Sequence, residues 1–187
     1  MRIILDAMGG DNAPQAPVIG ALQAATDFGA QIIIVGRGEE ILSVMRAQGY
    51  NDLPEGIEIA HADEVVDMHD DPANVIRKKK NSSMVIGLKM LSDGLGDAFV
   101  SAGSTGALLT GATLIVKRVK GIRRAAMGPT MPNKAGGKTV ILDCGANAEC
   151  TPEFLLQFGL VGSIYAKKCL GVENPRIGLL NIGTEDT

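Results

Sequence analysis

Two short apolar runs, IILDA at residues 3–7 and QIIIVG at residues 31–36, frame the stretch that decides the fold. Between them, a polar turn with two glycines, Met8 to Ala13, precedes a segment from Pro14 to Phe28 with the apolar spacing of an amphipathic helix. A β-branched run, a helix and a second β-branched run predict a β-α-β unit. Such units build parallel sheets that helices cover on both faces.

The same alternation continues along the chain. Helices are predicted at Glu39–Gln48, Ser82–Ser92, Gly106–Lys117 and Thr151–Lys168, and strands in GIEIAHA (56–62), DAFVSAG (97–103), KTVILDCG (138–145) and RIGLLNIG (176–183). Thr151-Pro152-Glu153 is a well-formed helix start, with a capping hydroxyl, a proline and an acid. The pattern predicts a mostly parallel α/β sheet in one domain, residues 1–187, incomplete at its C-terminus because it stops just after a strand.

Composition narrows the class of protein. The 187 residues are 45% hydrophobic, which suffices for one substantial core. Six aromatic residues and a net charge of −3 do not fit a nucleic-acid binder, so no nucleic-acid partner is expected. Three cysteines without a CxxC pair predict neither a disulfide framework nor a zinc site, which fits a reducing cytoplasm. No apolar run approaches the length of a membrane span.

Small polar loops follow four of the predicted strands. They are Asp6–Asp11, Ser101–Gly106, Asp143–Asn147 and Asn181–Glu185. Glycine lets backbone N–H groups approach an anion, and a helix that begins there adds a partial positive charge. Each loop taken singly is also typical of a tight turn between strand and helix. Four together favour an anion site, and Ser101–Gly106, with two hydroxyls before a clean helix, is the best phosphate cradle.

Two familiar nucleotide motifs are not supported. Gly136-Gly137-Lys138-Thr139 imitates the end of a P-loop but leads into a predicted strand, and Pro132 stands where the first glycine belongs. The first turn reads GGDNAP instead of GxGxxG, and no acid follows the second strand at Gly36-Arg37. A nicotinamide cofactor is therefore not expected.

Carboxylates and histidines are further candidates for acid-base or metal-binding roles. Asp6, Asp11, Asp143 and Glu185 follow predicted strands, where a carboxylate can act as an acid or base, bind a metal, or simply accept turn amides. The structural role is favoured for Asp6 and Asp143. His61 and His69 lie among aspartates in a polar connection whose spacing matches no metal motif, so a solvated loop is favoured. No metal is predicted.

Five motifs occur in the chain in a fixed order. They are DAMGGDNAP, Asn81-Ser82-Ser83-Met84, the SAGxTGAL loop, LDxGAN followed by CTPEFL, and GLLNIGTE. As a set they resemble the acyl-acyl carrier protein:phosphate acyltransferase family of bacterial phospholipid synthesis, with this chain as its N-terminal portion. The one departure in these motifs is Ser104, where the family pattern leads us to expect asparagine.

The resemblance implies a three-layer α/β/α fold similar to isocitrate and isopropylmalate dehydrogenases and to phosphotransacetylase. It also implies a cytoplasmic homodimer, peripherally associated with the inner face of the membrane, in which the dimer and membrane elements belong to a C-terminal half. The implied partners are acyl carrier protein and inorganic phosphate, and no cofactor is implied. Rival functions are a short-chain phosphotransacetylase that uses coenzyme A and a non-catalytic phosphate- or nucleotide-sensing module.

Direct attack of bound phosphate on the thioester needs positioning and oxyanion donors more than a strong acid or base. The loops then suggest roles. The candidate catalytic residues are Asp11, Asn147, Asn181 and Glu185. The candidate phosphate- and substrate-binding residues are Gly9, Gly10, Gly103, Ser104, Thr105, Gly106 and Gly145.

Two further hypotheses concern the clusters of basic residues and one cysteine. Arg123 and Arg124 are the candidate patch for the acidic carrier protein, with Arg77–Lys80 as a second basic cluster; a solvated helix face is the alternative for both. Cys144 resembles a nucleophile, but the chain offers it no convincing base, so a small buried thiol at a strand end is expected instead.

Overall fold

The computed structural model describes residues 1–147, 149–181 and 183, and the chain divides into two compact units, Met1–Lys117 and Arg118–Thr187. The single-domain assignment stays a prediction. The first unit contains β1 (Arg2–Asp6), α1 (Gln15–Phe28), β2 (Gln31–Gly36), α2 (Gly38–Ala47), β3 (Ile57–His61), α3 (Pro72–Lys78), α4 (Ser83–Ser92), β4 (Ala98–Val100) and α5 (Thr105–Gly111), which continues as a π-helix (Ala112–Val116). The second contains β5 (Thr130–Pro132), β6 (Lys138–Val140) and α6 (Pro152–Leu170).

The four strands of the first unit form one parallel sheet in the order β3-β2-β1-β4. Ile4 of β1 pairs with Ile33 of β2 on one side and with Phe99 of β4 on the other. From β1 the chain moves outward through β2 to β3 and then returns to add β4 beside β1. The strand order therefore reverses between β1 and β4, and open α/β sheets bind ligands in the crevice at such a point.

Helices cover both faces of this sheet, as the sequence predicted. Ile32 and Ile34 of β2 pack in one core cluster with buried side chains of α1 and α2. Ile33 and Val35 point to the opposite face, where they cluster with Ile4 and with partly buried side chains of α4. A continuous apolar run such as IIIV is typical of a parallel strand that is buried on both faces, and here it produces the α/β/α layering.

Side-chain caps begin several helices. Ser82 Oγ accepts a hydrogen bond from Val85 N at 3.3 Å, and Ser82 is fully buried. The sequence missed α3, although its start is typical: Asp71 Oδ1 accepts from Ala73 N at 3.0 Å and Pro72 follows at the first helical position. With only seven residues, α3 is too short to show apolar periodicity, which explains why it was assigned to a polar connection.

The second unit contains an antiparallel hairpin and one long helix. In the hairpin, β5 pairs with β6, and Asn133 N donates to Gly137 O at 2.9 Å across the turn. GGKT thus leads from a hairpin turn into a strand, as the sequence predicted. Helix α6 begins at the predicted cap, where Thr151 Oγ1 accepts from Phe154 N at 3.4 Å.

Two predicted parallel strands differ in the structure. KTVILDCG forms a strand only at Lys138–Val140, and that strand is antiparallel; Arg176–Asn181 is in no strand, and the end of RIGLLNIG lies partly outside the described residues. Leu179 and Leu180 are 77% and 78% exposed. A strand persists only where a neighbour accepts and donates its backbone hydrogen bonds, and among the described residues Arg176–Asn181 pairs with no strand.

Candidate functional site

Two loops with glycines meet at the carboxyl ends of β1 and β4. A Cβ added to Gly103 would lie 3.3 Å from Gly9 Cα, so the two backbones are in direct contact. Gly10 has a φ of +105°, and a Cβ there would lie 3.1 Å from Ala102 Cβ. The structure therefore brings together the first two of the four predicted loops, at the crevice where the strand order reverses.

Gly9 occupies a position that no other residue fits. An added Cβ would lie 2.7 Å from Asp6 Oδ2, 2.9 Å from Gly103 N and 2.9 Å from Ser101 Oγ. Each of these three distances is shorter than a non-bonded contact between a carbon atom and a nitrogen or oxygen atom. Glycine at this position is thus a condition for the close approach of the two loops.

A buried carboxylate lies beneath this contact. Asp6 is 2% exposed, and its Oδ2 accepts a hydrogen bond from the Ser101 hydroxyl at 2.7 Å. Its Oδ1 accepts from Met8 N at 3.1 Å, and Ser101 Oγ in turn accepts from Gly103 N at 3.1 Å. Asp6 thus accepts a turn amide, which is the structural role that the sequence favoured for it.

In the predicted phosphate cradle, Ser101–Gly106, some of the hydrogen-bonding groups are already used in bonds within the loop and the helix that follows it. Gly103 N donates to Ser101 Oγ, and Ser104, which is buried, caps α5 by accepting from Ala107 N at 3.4 Å. Gly106 packs against α3, since a Cβ there would lie 2.9 Å from Pro72 Cγ. The N–H groups of Thr105 and Gly106 open the helix and so have no acceptor within it. The exposed hydroxyl of Thr105 lies at the same helix end.

Asp11 lies in the turn that leads into α1. Its side chain is exposed, and the next residues are tied to the helix by Ala16 N, which donates to Asn12 O at 2.9 Å. It follows Gly9 and Gly10 directly in the chain, so it belongs to the same loop as they do. Its predicted catalytic role stays a prediction.

The Asp143–Asn147 loop of the second unit is held by its own network. Asp143 Oδ1 accepts from Met127 N at 2.7 Å, and its Oδ2 accepts from Asn147 N at 2.8 Å. The Asn147 amide donates to Ala125 O at 3.0 Å and accepts from Arg124 Nε at 2.5 Å. Both ends of that amide are engaged by the segment 124–125, so a role toward substrate would use its second N–H.

Cys144 corrects a prediction. The thiol is exposed, whereas the sequence indicated a small buried cysteine at a strand end. The reason is that strand β6 stops at Val140, so residues 141–147 form a loop instead of entering a sheet. Gly145, in the same loop, has a φ of +86°, and nothing lies within 4 Å of where its Cβ would be.

The fourth predicted loop is described only in part. Asn181 is exposed, and its Oδ1 accepts a hydrogen bond from Gly183 N at 3.0 Å. Glu185, a predicted catalytic residue, lies outside the described residues.

The proposed carrier patch makes hydrogen bonds within the second unit. Arg123 Nη1 donates to Glu153 Oε2 at 2.9 Å, yet the Arg123 side chain remains 68% exposed. Arg124 Nε donates a hydrogen bond to Asn147 Oδ1. In the first unit, Arg77, Lys78 and Lys80 are exposed around the end of α3.

The histidines lie in a hydrogen-bonded surface segment. His61 Nε2 is 2.7 Å from Asp63 Oδ1, and both side chains are largely exposed. His69 N donates to Asp67 Oδ1 at 2.9 Å. Among the described residues, no three histidine, cysteine, aspartate or glutamate side chains are grouped so as to hold a metal ion. His61 is the last residue of β3, and His69 lies in the solvated loop that the sequence favoured.

One carboxylate of the same segment has a shifted pKa. Lys79 Nζ donates to Asp70 Oδ2 at 2.5 Å and to Val65 O at 2.9 Å. The hydrogen bond from Lys79 lowers the pKa of Asp70 below its ordinary value, and Asp67 N adds a second bond in the same direction. This ion pair connects α3 to the segment that follows β3.

Comparison with known proteins identifies the family. A family model described as "Fatty acid synthesis protein" matches residues 1–187, the whole chain. The chain belongs to this family. It is 46% identical over 187 residues to the phosphate acyltransferase of Bacillus licheniformis and 47% identical over 186 residues to that of Acetivibrio thermocellus. These alignments cover 100% and 99% of this chain but 55% and 54% of the relatives, so the chain spans about half the length of the curated relatives that it matches.

A solved structure agrees with the fold of this family member. A phosphotransacetylase from Streptococcus pyogenes superposes with a TM-score of 0.64 and 23% sequence identity, over 89% of this chain and 54% of that protein. At this identity the likeness shows the fold, which is the one that the sequence resemblance implied. In the part of the chain that the structure describes, no helix is long and apolar enough to cross a membrane.

Sequence reasoning missed the pairing of Asp6 with Ser101. Both residues follow strands, so the signal was present, but the sequence does not show that β1 and β4 are neighbours. The position of a polar residue directly after an apolar run named Asp6 and the Ser101–Gly106 loop as candidates, but separately. Their partnership depends on the strand order.

Proposed function

We propose that the complete protein transfers a fatty acyl group from acyl carrier protein to inorganic phosphate. A phosphate oxygen attacks the thioester carbonyl carbon, a C–O bond forms, and the C–S bond breaks with its electron pair leaving on the carrier thiolate. The products are acyl phosphate, for phospholipid synthesis, and free carrier. The name phosphate acyltransferase, carried by relatives 46% and 47% identical to this chain, supports the acyl transfer to phosphate.

The observation that carries this proposal is the contact between the Gly9-Gly10 loop and the Ser101–Thr105 loop at the reversal of strand order. Backbone N–H groups of closely approaching glycine loops suit an anion with several acceptor oxygens. We assign phosphate to the N–H groups of Thr105 and Gly106 together with the Thr105 hydroxyl. The N–H groups of Gly9 and Gly10 are candidate donors to the same phosphate and to the oxyanion that develops on the thioester carbonyl.

The chemistry needs no cofactor. Phosphate is already partly dianionic near neutral pH, and a thiol with an ordinary pKa of about 8.5 is an adequate leaving group. Positioning and oxyanion stabilisation can each lower the barrier by several kcal/mol. Asp11, Asn147, Asn181 and Glu185 are proposed to orient the substrates, with Gly145 as a further backbone donor.

The remaining assignments rest on the resemblance. We propose a cytoplasmic homodimer that associates peripherally with the inner face of the membrane, with acyl carrier protein as its macromolecular partner. Arg123 and Arg124 are the proposed contact for the acidic carrier, supported by their exposed positions in a chain of net charge −3.

A thioester assay tests this function. A protein of the relatives' full length that contains this chain is supplied with phosphate and either acyl-acyl carrier protein or acyl-coenzyme A, and acyl phosphate is trapped with hydroxylamine. We expect phosphate-dependent loss of the carrier thioester and formation of hydroxamate. Turnover with coenzyme A thioesters alone would indicate a phosphotransacetylase. Phosphate binding without turnover of either donor would indicate a sensing module.

A further inference from the structure

We propose that Asp6 is a positioning residue that acts through Ser101 to hold the two glycine loops in the geometry that binds phosphate. This inference rests on the proposed function, because it concerns the same crevice. Neither Asp6 nor Ser101 is assigned to contact phosphate or the thioester.

The hydrogen bonds form one continuous path between the loops. From the first loop, Met8 N donates to Asp6 Oδ1 at 3.1 Å. From the second, Gly103 N donates to Ser101 Oγ at 3.1 Å, and the Ser101 hydroxyl donates to Asp6 Oδ2 at 2.7 Å. Each oxygen of the carboxylate therefore holds one loop, and the hydroxyl acts once as donor and once as acceptor.

Because Asp6 is buried, its carboxylate depends on these hydrogen bonds. A carboxylate that is 2% exposed is costly unless hydrogen bonds satisfy it, so its partners cannot leave without a large penalty. Because Asp6 ends β1 and Ser101 follows β4, the network also fixes the loops relative to the two central strands. The sheet holds β1 and β4 at a fixed distance, and the Asp6 carboxylate ties each loop to these strands, so the distance between the loops is fixed as well.

The close contact at Gly9 leaves the two loops little room to move relative to each other. The space where its Cβ would lie is enclosed by Asp6 Oδ2, Ser101 Oγ and Gly103 N, each within 2.9 Å. The glycine loop therefore rests directly on the hydrogen-bond network. If the network loosens, the Gly9 and Gly10 N–H groups move away from those at Thr105 and Gly106, and an anion bridged by both sets is held less well.

The test uses the 187-residue chain and inorganic phosphate as the probe. Phosphate is titrated into isotopically labelled protein, and the amide signals of Gly9, Gly10, Thr105 and Gly106 are followed by NMR. Ser101→Ala is the main variant because Ser101 is only partly buried. Ser101→Thr retains the hydroxyl, and Asp6→Asn removes the charge but keeps the shape.

A destabilised control separates positioning from folding. Ile41→Val removes one methylene from the buried core around α2, at a residue outside both loops. We expect Ser101→Ala and Asp6→Asn to weaken phosphate binding about tenfold, the size of one lost charge-assisted hydrogen bond, and Ser101→Thr to restore most of it. Ile41→Val should bind phosphate as the wild type does.

The outcomes distinguish the two proposals. Wild-type affinity in Ser101→Ala, or an equal loss in Ile41→Val, would overturn the positioning role and leave the proposed function intact. Failure of the wild-type chain and of the full-length protein to bind phosphate at these amides would overturn the proposed function and this role with it. Loss in Ser101→Ala with rescue in Ser101→Thr would support both.

Discussion

Arg123 Nη1 lies 2.9 Å from Glu153 Oε2, so the candidate cation for carrier binding is paired with an acid in the first turn of α6. The pair is exposed, with 68% of the Arg123 side chain and 47% of the Glu153 side chain accessible. An exposed pair of this kind stabilises the fold by little, about 0–1 kcal/mol. The arginine can therefore exchange this partner for an acidic group of another protein at small cost.

Removing Arg123 and removing Glu153 should have opposite effects on the carrier. In the full-length protein, Arg123→Gln is expected to weaken association with acyl carrier protein about two- to fivefold at low salt, the size of one exposed ion pair. Glu153→Gln breaks the same pair but frees the cation, so association should be unchanged or tighter. Surface plasmon resonance at two ionic strengths measures both. Equal weakening in the two variants would indicate damage to α6 instead of carrier binding.

Gly9→Ala should destabilise the first unit by about 1–3 kcal/mol, because its Cβ would force the two loops apart. Gly20→Ala is the matched control: Gly20 lies within α1, and nothing is found within 4 Å of where its Cβ would be. In a helix interior that exchange should stabilise by about 0.5–1 kcal/mol. Urea unfolding of the two variants measures the difference. Wild-type stability in Gly9→Ala would contradict the close contact.

Ser104 should behave as a helix cap. Ser104→Ala removes the acceptor for Ala107 N and should cost about 0.5–2 kcal/mol. Ser104→Asn places the residue expected from the family pattern and retains a capping oxygen, so its stability should stay close to that of the wild type. Thermal or urea unfolding measures both. If alanine and asparagine destabilised equally, burial of the serine would matter and capping would not.

The Asp70–Lys79 pair predicts a pH dependence of stability. Because the pKa of Asp70 in the folded state lies below its ordinary 3.8, the pair stabilises the fold above that value. The stabilisation is lost as pH falls through the folded-state pKa. Asp70→Asn should therefore unfold at lower urea concentration than the wild type at pH 6, and the gap should close below about pH 3.8.

The control for this pH dependence is Asp52→Asn, which alters an exposed carboxylate in a loop. Its unfolding midpoint should follow the wild type closely at each pH. A gap between Asp70→Asn and wild type that stayed constant down to pH 2 would show that packing, not charge, accounts for the loss.

Cys144→Ala should retain most of the activity of the full-length protein. The exposed thiol lies in a loop, and the mechanism of direct attack gives it no role. With phosphate withheld, mass spectrometry should find no acyl group on Cys144. A stoichiometric adduct that phosphate then discharges would show a covalent mechanism instead.

Some features followed from short-range pattern alone. The run IIIV and the segment Pro14–Phe28 indicated a β-α-β unit because buried strands and amphipathic helices leave distinct apolar periods. Thr151-Pro152 marked the start of α6 because a capping hydroxyl and a fixed proline φ act within one turn. The polar residues after each apolar run also named four loops as the candidate site, and those after β1 and β4 are two of them.

Other features were decided by tertiary structure. KTVIL and RIGLLN have strand composition, yet pairing depends on a neighbour that the local pattern does not reveal, and only Lys138–Val140 forms a strand. The hydrogen bond from Ser101 to Asp6 joins residues 95 positions apart and exists because β4 returns to lie beside β1. The sequence by itself determined the elements from β1 to β3, the start of α6 and the polar loops, since these depend on interactions within a few residues. Strand order decided which loops meet and which N–H groups remain for an anion, because those contacts arise only when distant segments pack.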